Sequence, residues 1–503
     1  MERRKFLKIL LAGGAGAMLN YKKALAGNLP VLFPDARALP PVQINTFSSE
    51  IVMNSRRSYH GSYSGSLSDQ ILGNILWAAS KAPMVGSNRI IYAARSDNVY
   101  RYDEVAHDII VHLSGNHKSE AATAFEVGVA SDLAEDAGAA LHFGHLASVA
   151  FWTSTSSQPS GCPKESATTY ANSNWSPAYT VQMVNCYGLM GTVSGITNSL
   201  VAISSDGSLP DPSTDGTVLL ENGLSGLIYG SDFDSTELTL NELSQLAWAS
   251  YGNNPHMTTN NRAGLVAASA VANFYLTGHI YIVRSEGVER YHIRLPSGGV
   301  TTRDHRIERV TTGDRRSNLR AAVARIPQSA PDYYVFCATT ASRWQLIEAG
   351  YAGAGALLQA ASLSLQGHFT CNFNSSERTA IISALGIPAA DLPLLVFSAG
   401  HQLVGIKEHE QGKAGTKIRV QPNPFSHTAR ITYELTLPSA VTVAIYDGAG
   451  KCLRKYANNR QKAGQHAVIW DGTDQKERAV APGNYYVVVR TRKGEYRHKI
   501  VKS

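Results

Sequence analysis

Within seven residues, Asn54-Ser55-Arg56-Arg57-Ser58-Tyr59-His60, the chain places two guanidinium groups, hydroxyls and an imidazole. Arginine carries a planar, permanently charged fork of donors that suits a phosphate. Ser58 adds a hydroxyl donor, and His60 is a cation only part of the time near neutral pH. Other groupings carry less chemistry. His142 and His145 have metal-like spacing but no carboxylate or thiolate frame around them, which reads as an incidental pair. Gly61-Ser-Tyr-Ser-Gly65 has the outline of a nucleophile elbow, but Tyr63 holds the central position, so it is not one. The five cysteines (162, 186, 337, 371, 452) are widely spaced without a C-x-x-C. That spacing argues against a zinc site or a disulfide framework; it leaves room for one structural pair and at least one free thiol.

The elements that must position these residues occur twice. Leu67, Leu72 and Trp77 fall on Leu238, Leu243 and Trp248 at a constant offset of 171 residues. Both stretches have the apolar spacing of an amphipathic helix, with Ser68 and Thr239 as N-caps. Tyr92–Tyr102 then matches Tyr281–Tyr291 at an offset of 189, each reading as strand, turn, strand. Gly115–Ser119 matches Gly313–Ser317 in the same order. Three colinear matches predict two copies of one α+β unit, at 51–228 and 229–412.

The segment Arg56-Arg57-Ser58-Tyr59-His60 followed by the Leu67–Trp77 helix resembles the opening of the nitroreductase superfamily, most closely the SagB-type dehydrogenases. In the second copy, Ala268–Tyr275 resembles the family's Pro-Ser-Ala segment. Glu348-Ala-Gly350 resembles its Glu-x-Gly, and Leu394–Gly400 its last core strand. The resemblance implies an FMN-dependent oxidoreductase that passes electrons between small molecules in a ping-pong scheme. It also implies a flavin site shared between two partners, here the two halves of an intrachain pseudo-dimer. Carried over by position, the expected cofactor-binding residues are Arg56, Arg57, Ser58, His60, Ser269, Glu348, Gly350 and Gly400. His60 stands where the family has a lysine or arginine near the flavin's N1/O2 edge. The copies have diverged: the first lacks the Ser-Ala segment, and the second has Tyr229–Asp234 in place of Arg-Arg-Ser. Two readings stay open, one composite flavin site or a degenerate scaffold that binds without catalysis.

The ends of the chain carry separate signals. Residues 1–26 carry six Lys/Arg and one acid, and 413–503 carry 17 Lys/Arg and six acids. Of the net charge of +7, these contribute +5 and +11, which leaves −9 for 27–412. An acidic body argues against nucleic acid as a partner, because phosphate affinity needs clustered cations. Arg3-Arg4-Lys5-Phe6-Leu7-Lys8, a short apolar stretch and Ala24-Leu25-Ala26 have the plan of a signal peptide and resemble the twin-arginine type. A Pro-containing lead follows at 27–50. From 413 to 503, short alternating strands separated by Gly-rich turns predict a β-sandwich. Gln421–Phe425, Ile445–Gly450, Trp470-Asp-Gly and Ala481–Tyr486 resemble FlgD-like Ig and type IX secretion sorting domains. Export to the periplasm, cell surface or medium, with secretion machinery as partner at both ends, is the resulting expectation. Trp470 is expected in the sandwich core.

Overall fold

The computed structural model describes residues 36–59, 61, 63–152, 158–190, 201–202, 206–257, 263–293, 302–403, 418–423, 425–435, 439–447, 452–456, 459–481, 483–491 and 494–502. The signal segment and His60 lie outside the described residues. The chain forms two compact units, Met1–Leu403 and Val404–Ser503.

In the first unit, copy one runs β1 (Ala36–Ala38), α1 (Ser49–Ser55), α2 (Asp69–Lys81), β2 (Arg89–Ala94), β3 (Asn98–Asp103), β4 (Asp108–Ser114), β5 (Phe125–Ser131), α3 (Ala134–Val149), β6 (Pro159–Pro163), α4 (Glu165–Asn174), β7 (Val181–Leu189) and β8 (Val201–Ala202). Copy two runs α5 (Leu220–Ser225), α6 (Leu240–Tyr251), β9 (Asn253–Met257), β10 (Ala263–Leu265), β11 (Ile280–Arg284), β12 (Gly287–Ile293), β13 (Thr302–Arg303), β14 (His305–Thr312), α7 (Arg316–Ala322), β15 (Asp332–Ala338), α8 (Arg343–Ser362), β16 (Leu365–Cys371), α9 (Ser375–Leu385) and β17 (Leu392–His401).

The duplication is visible strand by strand. Six strands of copy one lie in the order β4-β3-β2-β5-β7-β6, and those of copy two in the order β14-β12-β11-β15-β17-β16. The registers agree as well: Tyr92 opposes Arg101 and Gly128, while Tyr281 opposes Arg290 and Val335. Even the irregularities repeat, at Val99/Tyr100 and Val288/Glu289, and at Val129/Ala130 and Phe336/Cys337. A β-bulge re-aims a strand and is seldom accidental, so matched bulges tie the two sheets to one ancestral plan.

Local chemistry sets the helix starts. Ser68 caps α2 through Ile71 N, and Thr239 with Glu242 forms a capping box on α6. Leu72, Ile75, Leu76 and Ala79 give α2 a buried stripe. The two central helices differ: every residue of α3 is buried, and α8 is buried without a break from Ile347 to Ala360. A helix buried all round belongs inside a core, and these two pack on each other. A Cβ on Gly138 would stand 2.2 Å from Ile347 O, and one on Gly350 would stand 2.3 Å from Glu135 O. Both pairs differ by 212 positions (138 to 350, 135 to 347), so the crossing point is a pseudo-twofold axis. The same axis relates Ser49 N, which donates to Val218 O, and Leu220 N, which donates to Phe47 O. These are offset by 171. Copy two therefore starts at about Leu219, ten residues before the boundary expected from sequence.

The second unit contains β18 (Ile418–Gln421), β19 (Ala429–Leu435), β20 (Ser439–Asp447), β21 (Cys452–Lys455), β22 (Asn459–Gln461), β23 (Gly464–Trp470), β24 (Gly483–Thr491) and β25 (Gly494–Lys502). They form a three-stranded sheet, β18-β19-β23, and a second sheet, β21-β20-β24-β25, with β22 also on β20. Trp470 is fully buried against Phe425 and Tyr485. Among the described residues, no helix is long and apolar enough to cross a membrane.

Candidate functional site

The Arg-Arg-Ser segment leaves the end of α1 and meets the other copy. Arg56 is buried, with Nε donating to Val266 O at 2.9 Å, Nη2 to Leu265 O at 2.8 Å and Nη1 to Ser58 Oγ at 3.3 Å. Asn254 returns the contact, donating from Nδ2 to Arg56 O at 2.9 Å and to Met53 O at 3.3 Å. Burial lowers Arg56 to about 10, which leaves it a cation at neutral pH. Expected among the cofactor-binding residues, Arg56 bolts the copies together: its side chain donates to two backbone carbonyls of copy two and to Ser58 Oγ.

Arg57 is placed differently. Its backbone carbonyl accepts from His145 Nε2 at 3.0 Å and from Ser160 Oγ at 3.3 Å, while its guanidinium lies 5.5 Å from the Trp152 ring centre. Arg57 Nε is buried and has no hydrogen-bond partner among the described residues. An orphaned charged donor is what an anionic group of a ligand would complete.

Across the seam, Glu348 organises the copy-two segment. Its carboxylate accepts from Tyr251 Oη, from Ser269 Oγ at 2.6 Å, and from Ala270 N and Leu276 N at 3.3 Å each. Burial raises its pKa, against the pull of those donors. Ala272 and Phe274 sit at φ of 58° and 52°, a left-handed conformation that costs a non-glycine residue free energy and recurs at ligand sites. Ser269 and Glu348 thus shape the loop that faces Arg56. Gly350 serves the α3–α8 crossing, and a Cβ on Gly400 would stand 2.6 Å from Pro331 Cδ. Both positions are closely packed. His142 is buried with neither ring nitrogen bonded among the described residues, and burial lowers it to about 3.

The offset of 171 puts Leu227-Ile228-Tyr229 in the positions of Arg56-Arg57-Ser58, so the substituted triplet starts two residues before the Tyr229–Asp234 read from sequence. The axis also pairs Asp136 with Glu348 at the offset of 212. Asp136 accepts from Val85 N at 2.7 Å and Gly86 N at 2.8 Å. A short loop held by a carboxylate therefore replaces the missing Ser-Ala segment of copy one. Around that loop is a cavity of about 680 Å³, lined by Met84, Val85, Leu133, Tyr229, His368 and Thr370 among others. Sequence reasoning missed Asn254, Asp136 and this cavity. The one available signal was the 212-residue spacing of two acids near the starts of two Ala/Gly-rich helices.

Residues 419–495 match the FlgD Ig-like domain family, so the C-terminal unit is an Ig-like β domain. No curated protein matches the chain. Among solved structures, the chain is similar to a candidate nitroreductase from Anabaena variabilis ATCC 29413, at 11% identity over 76% of this chain and 96% of that one, with a TM-score of 0.49. It is similar to a candidate nitroreductase from Ralstonia eutropha JMP134, at 21% identity over 42% and 96%, with a TM-score of 0.30. A nitroreductase with bound FMN from Bacteroides fragilis NCTC 9343 is 14% identical over 40% and 98%, with a TM-score of 0.25.

Proposed function

We propose that this protein is an exported FMN-dependent oxidoreductase of the nitroreductase superfamily, with one flavin site composed from both copies. The observation that carries the reading is the seam itself. The Arg-Arg-Ser segment of copy one is bonded to Leu265 and Val266 of copy two, and Arg57 Nε is left orphaned beside it. Bound there, FMN would supply a two-electron carrier, reduced by one small molecule and reoxidised by a second. Arg57 and Ser58 hold the phosphate, Arg56 fixes the segment that bears them, and Glu348 keeps the facing loop in shape. Export rests on Arg3-Arg4 and the apolar stretch after them; a twin-arginine route carries folded, cofactor-loaded proteins, which suits a flavin enzyme. Lysine at both positions should strand the precursor in the cytoplasm.

The test of the cofactor is an absorbance scan and flavin count on protein purified with its signal intact. One FMN per chain is the expected result. Two per chain overturns the composite arrangement, and none favours the rival reading, a binding scaffold without catalysis. The observation on that rival's side is the triplet Leu227-Ile228-Tyr229, which leaves the twin seam without either arginine.

A further inference from the structure

The 680 Å³ cavity lies where the pseudo-twofold axis carries the Arg57 seam. Its chemistry has been exchanged. At the offset of 171, Tyr229 replaces Ser58, and hydrophobic Leu227 and Ile228 replace both arginines. Gly161 and Gly367 hold equivalent register positions on the edge strands, opposite Tyr187 and Ala399, so Thr370 corresponds to Lys164, which follows β6 and pairs with Glu120. The cation among the lining residues is Arg325, whose guanidinium is occupied by both Glu377 oxygens and the carbonyls of Cys371 and Asn372.

What remains is a stacked aromatic pair with Met84, Val85 and Leu133 in a lining that also carries Ser87, Asp132, Asn372 and Asn374, and two polar groups in it are unused. Tyr229 stacks on His368, with ring centres 5.1 Å apart and 19° between planes, and is 39% exposed; Met84 is 51% exposed. His368 Nδ1 and Thr370 Oγ1 are buried with no hydrogen-bond partner among the described residues. The two residues are two apart on β16 and therefore share a face, roughly 7 Å from each other along the strand. Burial lowers the His368 pKa, which keeps the ring neutral at neutral pH. The opposite wall is prebuilt: Asp136 holds Val85 N and Gly86 N, and Asp132 accepts from Ser87 N at 2.9 Å and Asn88 N at 3.2 Å. Buried polar atoms without partners are costly, and a ligand can supply the partners.

We infer that this cavity is a second ligand site, for an uncharged planar aromatic molecule of one or two rings with hydroxyl or carbonyl groups at its ends. Such a molecule stacks against Tyr229 and bonds to His368 and Thr370. A phosphorylated ligand finds no free cation here, so the site is chemically distinct from the Arg57 seam and independent of whether that seam holds flavin.

The test is calorimetric titration of the full chain with 2,6-dihydroxynaphthalene and, as its charged counterpart, 1-naphthyl phosphate. The diol should bind once per chain, at least tenfold more tightly than the phosphate. Tyr229→Ala should weaken the diol about tenfold, and Thr370→Val, close in shape and harmless to the fold, at least threefold. Flavin content, read on the same samples, should not change in either variant. Equal or tighter binding of the phosphate, no binding of the diol, or binding indifferent to both substitutions would overturn the site.

Discussion

Neighbouring arginines of the same type have different surroundings here, and substitution separates them. Arg56→Ala removes three charge-assisted bonds and takes the donor from Val266 O, while Leu265 O keeps Asn254 Nδ2 at 3.0 Å. Denaturant unfolding should show a loss of about 3 kcal/mol. Arg57→Ala removes a side chain with an unpartnered Nε; the stability cost should be under about 1 kcal/mol, while FMN affinity should fall about tenfold to a hundredfold. If both variants keep flavin equally well, Arg57 is not the phosphate residue. A second residue, Glu135, makes stability depend on pH. Burial raises its pKa from 4.5 to about 7, so the folded state holds this proton after the unfolded chain has released it. Its contribution is full below about pH 4.5 and declines by on the order of 3 kcal/mol as pH rises to about 7. Glu135→Gln should remove that decline, seen as a smaller stability difference between about pH 5 and pH 7.5 than the parent shows. Arg-Arg-Ser was legible in the sequence as chemistry, but not which arginine is free. That depends on carbonyls some 210 residues away.

At the scale of elements, the crossing of α3 and α8 rests on two glycines whose added methyl would strike a carbonyl oxygen. Gly138→Ala or Gly350→Ala must push the helices apart, which should cost about 1–3 kcal/mol each by denaturant titration. Because both strain one crossing, the double variant should lose less than the sum of the singles. Additive losses would show that the two contacts relax independently. The legibility of elements follows their exposure. Helices α2 and α6 announce themselves through caps at Ser68 and Thr239 and a one-sided apolar stripe, and the strand pairs through Tyr92 and Tyr281. Helices α3 and α8 have no solvent-facing polar stripe, so their equivalence left no periodicity, only the 212-residue spacing of Asp136 and Glu348. Nor could the triplet at 227–229 be aligned by residue type, since leucine, isoleucine and tyrosine share nothing with Arg-Arg-Ser. Backbone hydrogen bonds at Phe47 and Val218 fix that register. In the sandwich, six strands are legible as alternating segments, whereas β21 and β22, four and three residues long, are not.

For the molecule as a whole, the second unit carries its own core, with Ile431, Val443, Trp470 and Val487 fully or almost fully buried. Residues 404–503 expressed alone should unfold in a single cooperative transition, and 1–403 should keep whatever flavin the full chain holds. A gradual, non-cooperative melt of the isolated tail would contradict the division. The axis through Gly138 and Gly350 has a genetic meaning as well. In a homodimer every substitution is inherited twice, once at each equivalent seam, so neither seam can change without the other. Joining the halves in one polypeptide makes each seam a separate locus: the chain is in effect a permanently heterozygous dimer. The arginines at 56 and 57 could be kept under one selection while 227–229 drifted under another, and a protein engineer can rewrite either seam with the same freedom.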